Sequence, residues 1–348
     1  MSRFLRTALV ATVAAAALAL GGCASTDAPA ATATEDASYG PLKVQLSFVK
    51  NTQNAGEYMA DSEGFYEAEG FSPVTLIAGP TAIEAAVASG AAHIGFSSPI
   101  GAGTAISNEQ MPITLVGSIY GLNAFTVMSM ADNPITTPAD LEGKRIGVTA
   151  GTAQIMVEAL ATTNGVDPST IEFVPAEGNT ALLTSGEVDG YWGLETNELI
   201  VLRQAGHDVV SLPLSQHGLP LAGASFAVSQ EMIEENRELV KAYLRAEILG
   251  WKAAIADPEA GARLALDVYG SELGLNEAKE LEQATAQIPF ILTPQAAKTG
   301  LFLLTPEQID ANIAALKLAG IDVDADELFD MSLLEEIYEE NPELVGGE

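Results

Sequence analysis

Cysteine occurs once in this chain, as Cys23. A lone thiol forbids an internal disulfide and removes the cysteine groups that structural zinc and iron–sulfur sites use. Histidine is almost as scarce. His93, His207 and His217 are scattered, with no second histidine at a helical metal spacing, so no metal ligand set is expected. His93 lies in an apolar stretch and reads as a satisfied core or edge residue rather than a ligand. Basic residues number 15 against 47 acidic ones, a formal net charge of −32. Such a surface repels nucleic acid and anionic lipid, which excludes nucleic-acid binding as a function class. Long apolar runs are missing too. The longest, Ala8 to Leu20, falls short of the ~20 residues that cross a bilayer.

That run has a definite context. Arg3 and Arg6 precede it and Leu20-Gly21-Gly22-Cys23 follows, the cationic start, short apolar core and small residues of a signal peptide. Leu-Gly-Gly-Cys resembles the lipobox of bacterial lipoproteins. The expectation is a signal peptide over residues 1–22, with Cys23 acylated as the mature N-terminus on the extracytoplasmic face of the cell membrane. The alternative is a plain secreted protein. Residues 23–41 are mostly Ala, Thr, Ser, Asp and Pro with little to bury, and read as a flexible stalk. Without the signal, 13 basic residues face 47 acidic ones, a net charge of −34. After Lys317 there are eleven Asp or Glu and no Lys or Arg, a solvated acidic surface or a docking tail.

The body, from about Leu42, is long enough for two lobes. Lys43 to Phe48 alternates apolar and polar as a strand does. A short helix over Asn54 to Gly64, a strand Pro73–Ile77, a helix capped by Thr81, a strand Ala92–Phe96, a helix through Ile106 and a strand Ile113–Ile119 follow. A second unit opens at Thr137-Pro138-Ala139-Asp140, a helix start with proline at its first position. It continues with strands at Arg145–Thr149, Ile171–Val174, Val188–Trp192 and Val209–Leu212, and helices at Thr152–Thr163, Asn179–Ser185 and Glu195–Ala205. Alternating strands and helices with short joints predict α/β units with parallel sheets. After the strand Phe226–Val228 the pattern is mostly helical. Val240, Leu244, Ile248, Trp251 and Ile255 form one apolar face, and Thr305–Gln308 and Ser332–Glu335 look like capping boxes.

Catalytic motifs are weak. In Gly95-Phe96-Ser97-Ser98-Pro99 a proline stands where a nucleophile elbow needs its second glycine. Gly101-Ala102-Gly103 lacks the third glycine of a dinucleotide loop, and Gly143-Lys144 lacks the upstream glycine of a phosphate loop. No catalytic residue and no cofactor is assigned, and the chain is read as a non-enzyme.

Four motifs in order carry a resemblance: Leu46 to Asn51 running into Asn54 to Ala60 and Gly64 to Phe71, Ala88 to Gly95, Asp140 to Val148, and Gly186-Glu187-Val188-Asp189-Gly190. Over roughly Leu42 to Phe226 the chain resembles the ABC-importer substrate-binding proteins that take thiamine-pyrimidine precursors, riboflavin, taurine and alkanesulfonates. That group also includes the yeast pyrimidine synthase, whose cysteine-rich iron motif has no counterpart here. The resemblance implies the type II periplasmic-binding-protein fold, two βα lobes joined by two crossing strands near 123–130 and 222–228. Lobe one would comprise residues 42–124 and 226–348, including the helical C-terminal part, and lobe two residues 125–225. The protein would be a monomer that closes on a solute and delivers it to a permease and ATPase.

The pocket is expected where strand C-termini face the hinge. Family position and local chemistry nominate Phe48, where many members carry a stacking Trp, with Asn51, Asn54 and Tyr58 after it. Ser97, Ser98 and Tyr120 end strands. Gly151 and Thr152 offer N–H groups at a helix start. Trp192, Glu195 and Asn197 end a strand and open a helix, and His217 lies near the second crossing. Each has a plainer alternative: core for Phe48, Tyr58 and Trp192, and turn or cap for Ser97, Ser98, Thr152 and Glu195. No basic residue occurs between Arg145 and Arg203, and only Lys43 and Lys50 between the stalk and Lys144. The expected ligand is therefore a planar nitrogen heterocycle, an aminopyrimidine first, with riboflavin, or a sulfonate, taurine or nitrate-type anion, as alternatives. A surface sensor is the distant alternative.

Overall fold

The computed structural model describes residues 38–79, 82–149, 152–176 and 178–346. The leader, Cys23, most of the stalk, Thr81 and Gly151 lie outside the described residues.

In chain order the first half runs β1 (Gly40–Gln45), α1 (Ala55–Ser62), α2 (Phe65–Ala68), β2 (Phe71–Ile77), α3 (Ile83–Ala88), β3 (Ile94–Ser97), α4 (Pro99–Glu109) and β4 (Ile113–Tyr120). It continues through β5 (Phe125–Met130), β6 (Arg145–Val148), α5 (Thr152–Thr163), β7 (Glu172–Pro175), α6 (Ala181–Thr184), β8 (Gly190–Leu194), α7 (Glu198–Gln204), β9 (Val209–Pro213) and β10 (Gly223–Ser229). The helical part is α8 (Gln230–Glu235), α9 (Arg237–Ala256), α10 (Pro258–Leu264), α11 (Glu277–Ala286), α12 (Ile288–Ile291), α13 (Ala296–Thr299), α14 (Pro306–Leu318), α15 (Ala325–Leu328) and α16 (Ser332–Glu340).

Two five-stranded sheets result, in the orders β2-β1-β3-β10-β4 and β7-β6-β8-β5-β9. Both are mixed rather than wholly parallel. β10 runs antiparallel to β3 and β4, and β5 antiparallel to β8 and β9. The reason lies in the connections. β4 ends at Tyr120 and only four residues lead into β5, so β5 enters the second sheet at the end where that sheet's other strands finish. The return from β9 into β10 does the same in reverse. The C-terminal ends of the four parallel strands in each sheet therefore all point toward the two links between the sheets.

The sequence explains the helical layer through close approach. α1 crosses α9 at Gly56 and Gly250: a Cβ on Gly250 would stand 2.3 Å from the Gly56 carbonyl oxygen, and one on Gly56 2.3 Å from the Trp251 ring. Trp251, Tyr58, Tyr66 and Tyr243 fill the space around this crossing, all buried.

Three local readings are corrected. Thr137 to Asp140 opens only a 3-10 turn, Pro138–Leu141, because β6 begins four residues later; the Asp140 carboxylate accepts from the Thr137 N–H at 2.8 Å. Thr305 and Gln308 do form a capping box, but Ser332 and Glu335 do not. Asp330 instead accepts from the Ser332 N–H at 3.0 Å, and Ser332 is already the first helical residue. The helix expected from Glu195 begins at Glu198, whose carboxylate reaches back to the Leu194 N–H at 2.8 Å.

Candidate functional site

The loop after β1 is built by asparagines. The Asn51 side chain accepts from the Gln53 N–H at 3.1 Å and so opens the 3-10 turn Thr52–Asn54. Asn54 reaches the Val49 carbonyl at 3.3 Å and the Tyr58 hydroxyl at 3.4 Å. Phe48, at the crest of this loop, is 42 % exposed, unusual for a phenylalanine. Tyr58 itself is fully buried and stacks on Tyr269 with ring centroids 4.3 Å apart.

Helix α11 braces the same loop from a distant part of the chain. Glu280 accepts from the Thr52 N–H at 2.9 Å and from the Lys279 ammonium at 3.0 Å. Gln287 donates to the Thr52 carbonyl at 3.2 Å and accepts from the Tyr120 hydroxyl at 3.1 Å. Burial raises the Tyr120 phenol well above its ordinary range. The end of β4, the loop after β1 and α11 are thus tied by one buried polar network, which fixes the loop's shape.

On the second sheet the segment after β8 is equally constrained. Trp192 stacks on Phe125 at 5.0 Å, and its indole N–H is buried with no acceptor among the described residues. Glu195 is half-buried, its backbone N–H bonded to the Ala124 carbonyl at 2.9 Å and its carboxyl accepting from Ser211 at 3.1 Å. Burial, the largest cause, pushes its pKa up against the lowering effect of the Ser211 bond. Asn197 donates to the Glu198 carboxylate at 2.9 Å.

The structure brings Phe48, Asn51 and Asn197 to one cavity of about 820 Å³. Its other walls are Val49, Val201 and Gln204 of α7 with Ala205 just past it, and Leu275, Asn276, Ala278, Lys279 and Glu280 at and before the start of α11. The volume lies within the range of small-molecule sites. The remaining nominated residues are placed elsewhere. Asn54, Tyr58 and Tyr120 stand behind the loop in the core. Ser98 caps α4 through the Gly101 N–H at 3.0 Å, and Ser97 donates to the Glu84 carboxylate. Thr152 is the first residue of α5, and the His217 ring contacts the Pro213 carbonyl at 2.9 Å. His93 accepts from the Lys43 N–H at 3.1 Å just before β3.

Lys279 and Glu280 are the charged wall residues that sequence reasoning missed. They stand more than 200 residues from Asn51 on a helix whose pattern resembles no motif, and only their capping residue, Asn276, announces the helix at all.

A family model described as NMT1/THI5 like matches residues 51–261, from the first asparagine of the site loop to α10. The chain belongs to the NMT1/THI5-like family. Among its relatives, the riboflavin-binding protein RibY of Chloroflexus aurantiacus is 25 % identical over 267 residues, 75 % of each chain. The formylaminopyrimidine-binding protein of Halalkalibacterium halodurans is 27 % identical over 237 residues, 66 % of this chain and 70 % of that one. In fold, the chain matches the periplasmic aliphatic sulphonate binding protein SsuA from Escherichia coli with a TM-score of 0.63 at 15 % identity, over 83 % of this chain and 92 % of that one. The fold is that of the periplasmic binding proteins, with the helical C-terminal part present.

Proposed function

We propose that this chain is the extracytoplasmic solute-binding lipoprotein of an ABC importer, anchored through Cys23, and that it captures a planar nitrogen heterocycle without converting it. One observation carries the reading: segments that follow β1 and β8, one from each sheet, meet with α11 around a single cavity of about 820 Å³. Residues 42–124 with 226–348 would form one lobe and residues 125–225 the other, closing on the solute. Phe48 would stack on the ring, Asn51 and Asn197 would supply neutral hydrogen bonds, and Trp192 and Glu195 would complete the site on closure. Asn54, Tyr58, Ser97, Ser98, Tyr120, Gly151, Thr152 and His217 would support or rim it.

The names of the curated relatives favour a pyrimidine or a flavin over a sulfonate. So does the charge of the cavity, whose one lysine is already bonded to Glu280 and Gln283. Riboflavin is the second reading, favoured by the relative named for it. Among the described residues no helix is long and apolar enough to cross a membrane, which fits attachment by lipid alone. Catalysis of the kind the synthase branch performs would need a cysteine-rich motif, and Cys23 stands alone.

The test is one preparation. The full chain, expressed with its leader in a bacterium, is taken from the membrane fraction, and small molecules released on denaturation are identified by mass spectrometry. The expected result is an unmodified heterocycle, with Cys23→Ala protein lost from the membrane fraction. Recovery of a chemically converted product, or of an alkanesulfonate, would reject the reading.

A further inference from the structure

Lys279 is buried, yet it forms part of the cavity wall. An ammonium carries three donors. Two are taken, by Glu280 at 3.0 Å and by Gln283, and no further acceptor for this group occurs among the described residues. Glu280 is held in turn by the Thr52 N–H, so the pair is fixed on both sides by backbone and side chain rather than waving into solvent. The chemistry of such a pair is specific. The carboxylate balances the ammonium, so the wall is polar but has no net charge to attract a full anion. What it offers is a charge-assisted N–H donor on the cavity wall, with Phe48 and Asn51 on the neighbouring loop.

We propose that Lys279 is a ligand-contacting, specificity-determining residue that selects heterocycles bearing a neutral carbonyl oxygen, such as an acylamino or lactam group, and that Glu280 is the positioning residue that keeps anions out. The inference rests on the reading of this cavity as the solute site. It adds a discriminating contact from α11, which neither strand-end segment supplies. A heterocycle lacking the carbonyl leaves the ammonium buried without its third partner, and sites built to bond a polar group reject the analogue without it strongly.

The experiment is a calorimetric titration with two probes, a formylaminopyrimidine and the same pyrimidine with an alkyl group in place of the formylamino group. Riboflavin, whose ring carbonyls present the same acceptor, and taurine are added as further probes. Removing the lysine alone would strand a buried carboxylate, so the first variant is Lys279→Met combined with Glu280→Gln, whose amide oxygen still accepts from Thr52. Thermal unfolding checks that it folds. Wild-type protein should prefer the formyl compound by about tenfold to a hundredfold. The double variant should bring the two pyrimidines to within about threefold, and Glu280→Gln alone should gain affinity for taurine. An unchanged preference in a folded double variant, with riboflavin affinity also unchanged, would overturn the role of Lys279. Wild-type protein that binds neither pyrimidine nor riboflavin would overturn the solute-site reading itself, and with it this inference.

Discussion

In the proposed site, Glu195 would sort solutes by charge. It lies past the end of β8 with a raised pKa, bonded by one hydroxyl only, which would leave its second carboxyl oxygen for a donor on the solute. A hydrogen bond to a charged group is worth about 1.5–3 kcal/mol. Glu195→Gln should therefore weaken an aminopyrimidine by about tenfold to a hundredfold, while sulfonate affinity stays level or rises because a repelling charge is gone. Titration of both proteins with both ligand classes checks this, and equal pyrimidine affinities would place Glu195 outside the site. At this scale Phe48, Asn51 and Asn197 were legible because they stand beside motifs that resemble the family's strand ends. Lys279 and Glu280 were not, since nothing local to α11 records that it folds back over a loop near the start of the chain. Tyr58 shows the limit of position alone: one turn beyond Asn54 it shares that residue's buried face, bonds to it and packs on Tyr269.

The crossing of α1 and α9 carries a second pair of acids. Glu57 and Glu247 are both fully buried and face one another. Trp251 donates to Glu57 at 3.1 Å and Tyr66 donates to Glu247, while the second oxygen of each carboxyl has no partner among the described residues. Burial raises both pKa values, Glu247 to about 7, and Glu57 is raised further by its charged neighbour. The folded protein therefore holds a proton that the unfolded chain releases in the ordinary carboxylate range. Stability from this source is fully present below that range and is lost as pH rises toward about 7, by on the order of a few kcal/mol. Glu57→Gln keeps the acceptor for Trp251 and removes one charge. It should raise the melting temperature at pH 8 and flatten its decline between about pH 5 and 8, the interval set by carboxyl pKa values raised in the folded state. Thermal unfolding across that range decides it, and a variant with the wild-type slope would dismiss the pair as the cause. The apolar stripe of α9 was plain in its sequence spacing, whereas the acid within it was not, because a glutamate one turn from a tryptophan reads as a solvated position until the partner helix is known.

For the molecule as a whole, the alternation of strands and helices predicted two α/β sheets, and the strand positions mostly fell within two residues of those expected. The antiparallel strand in each sheet was the part that alternation alone could not supply, since strand sense depends on which end a connection enters. That same feature has a consequence for how the chain is assembled. Tyr120 and Gly223 are direct partners on neighbouring antiparallel strands, β4 and β10. Everything between them leaves and re-enters the first sheet at a single point. In the language of gene architecture, residues 121–222 are an insertion within a hairpin. Joining Tyr120 to Gly223 through an Asn-Gly turn, the favoured two-residue hairpin link, should leave a shorter protein with the first sheet and α8 to α16 intact. It would fold cooperatively, retain Trp251 as its one tryptophan, and bind no solute, because Asn197 and the α7 wall would be gone. Circular dichroism and tryptophan emission would show a buried Trp251 if this holds, and a collapsed chain without a melting transition if the two halves depend on each other to fold. A hairpin that tolerates so large a guest is a site where evolution, or an engineer, can exchange one recognition module for another while the rest of the molecule stays as it is.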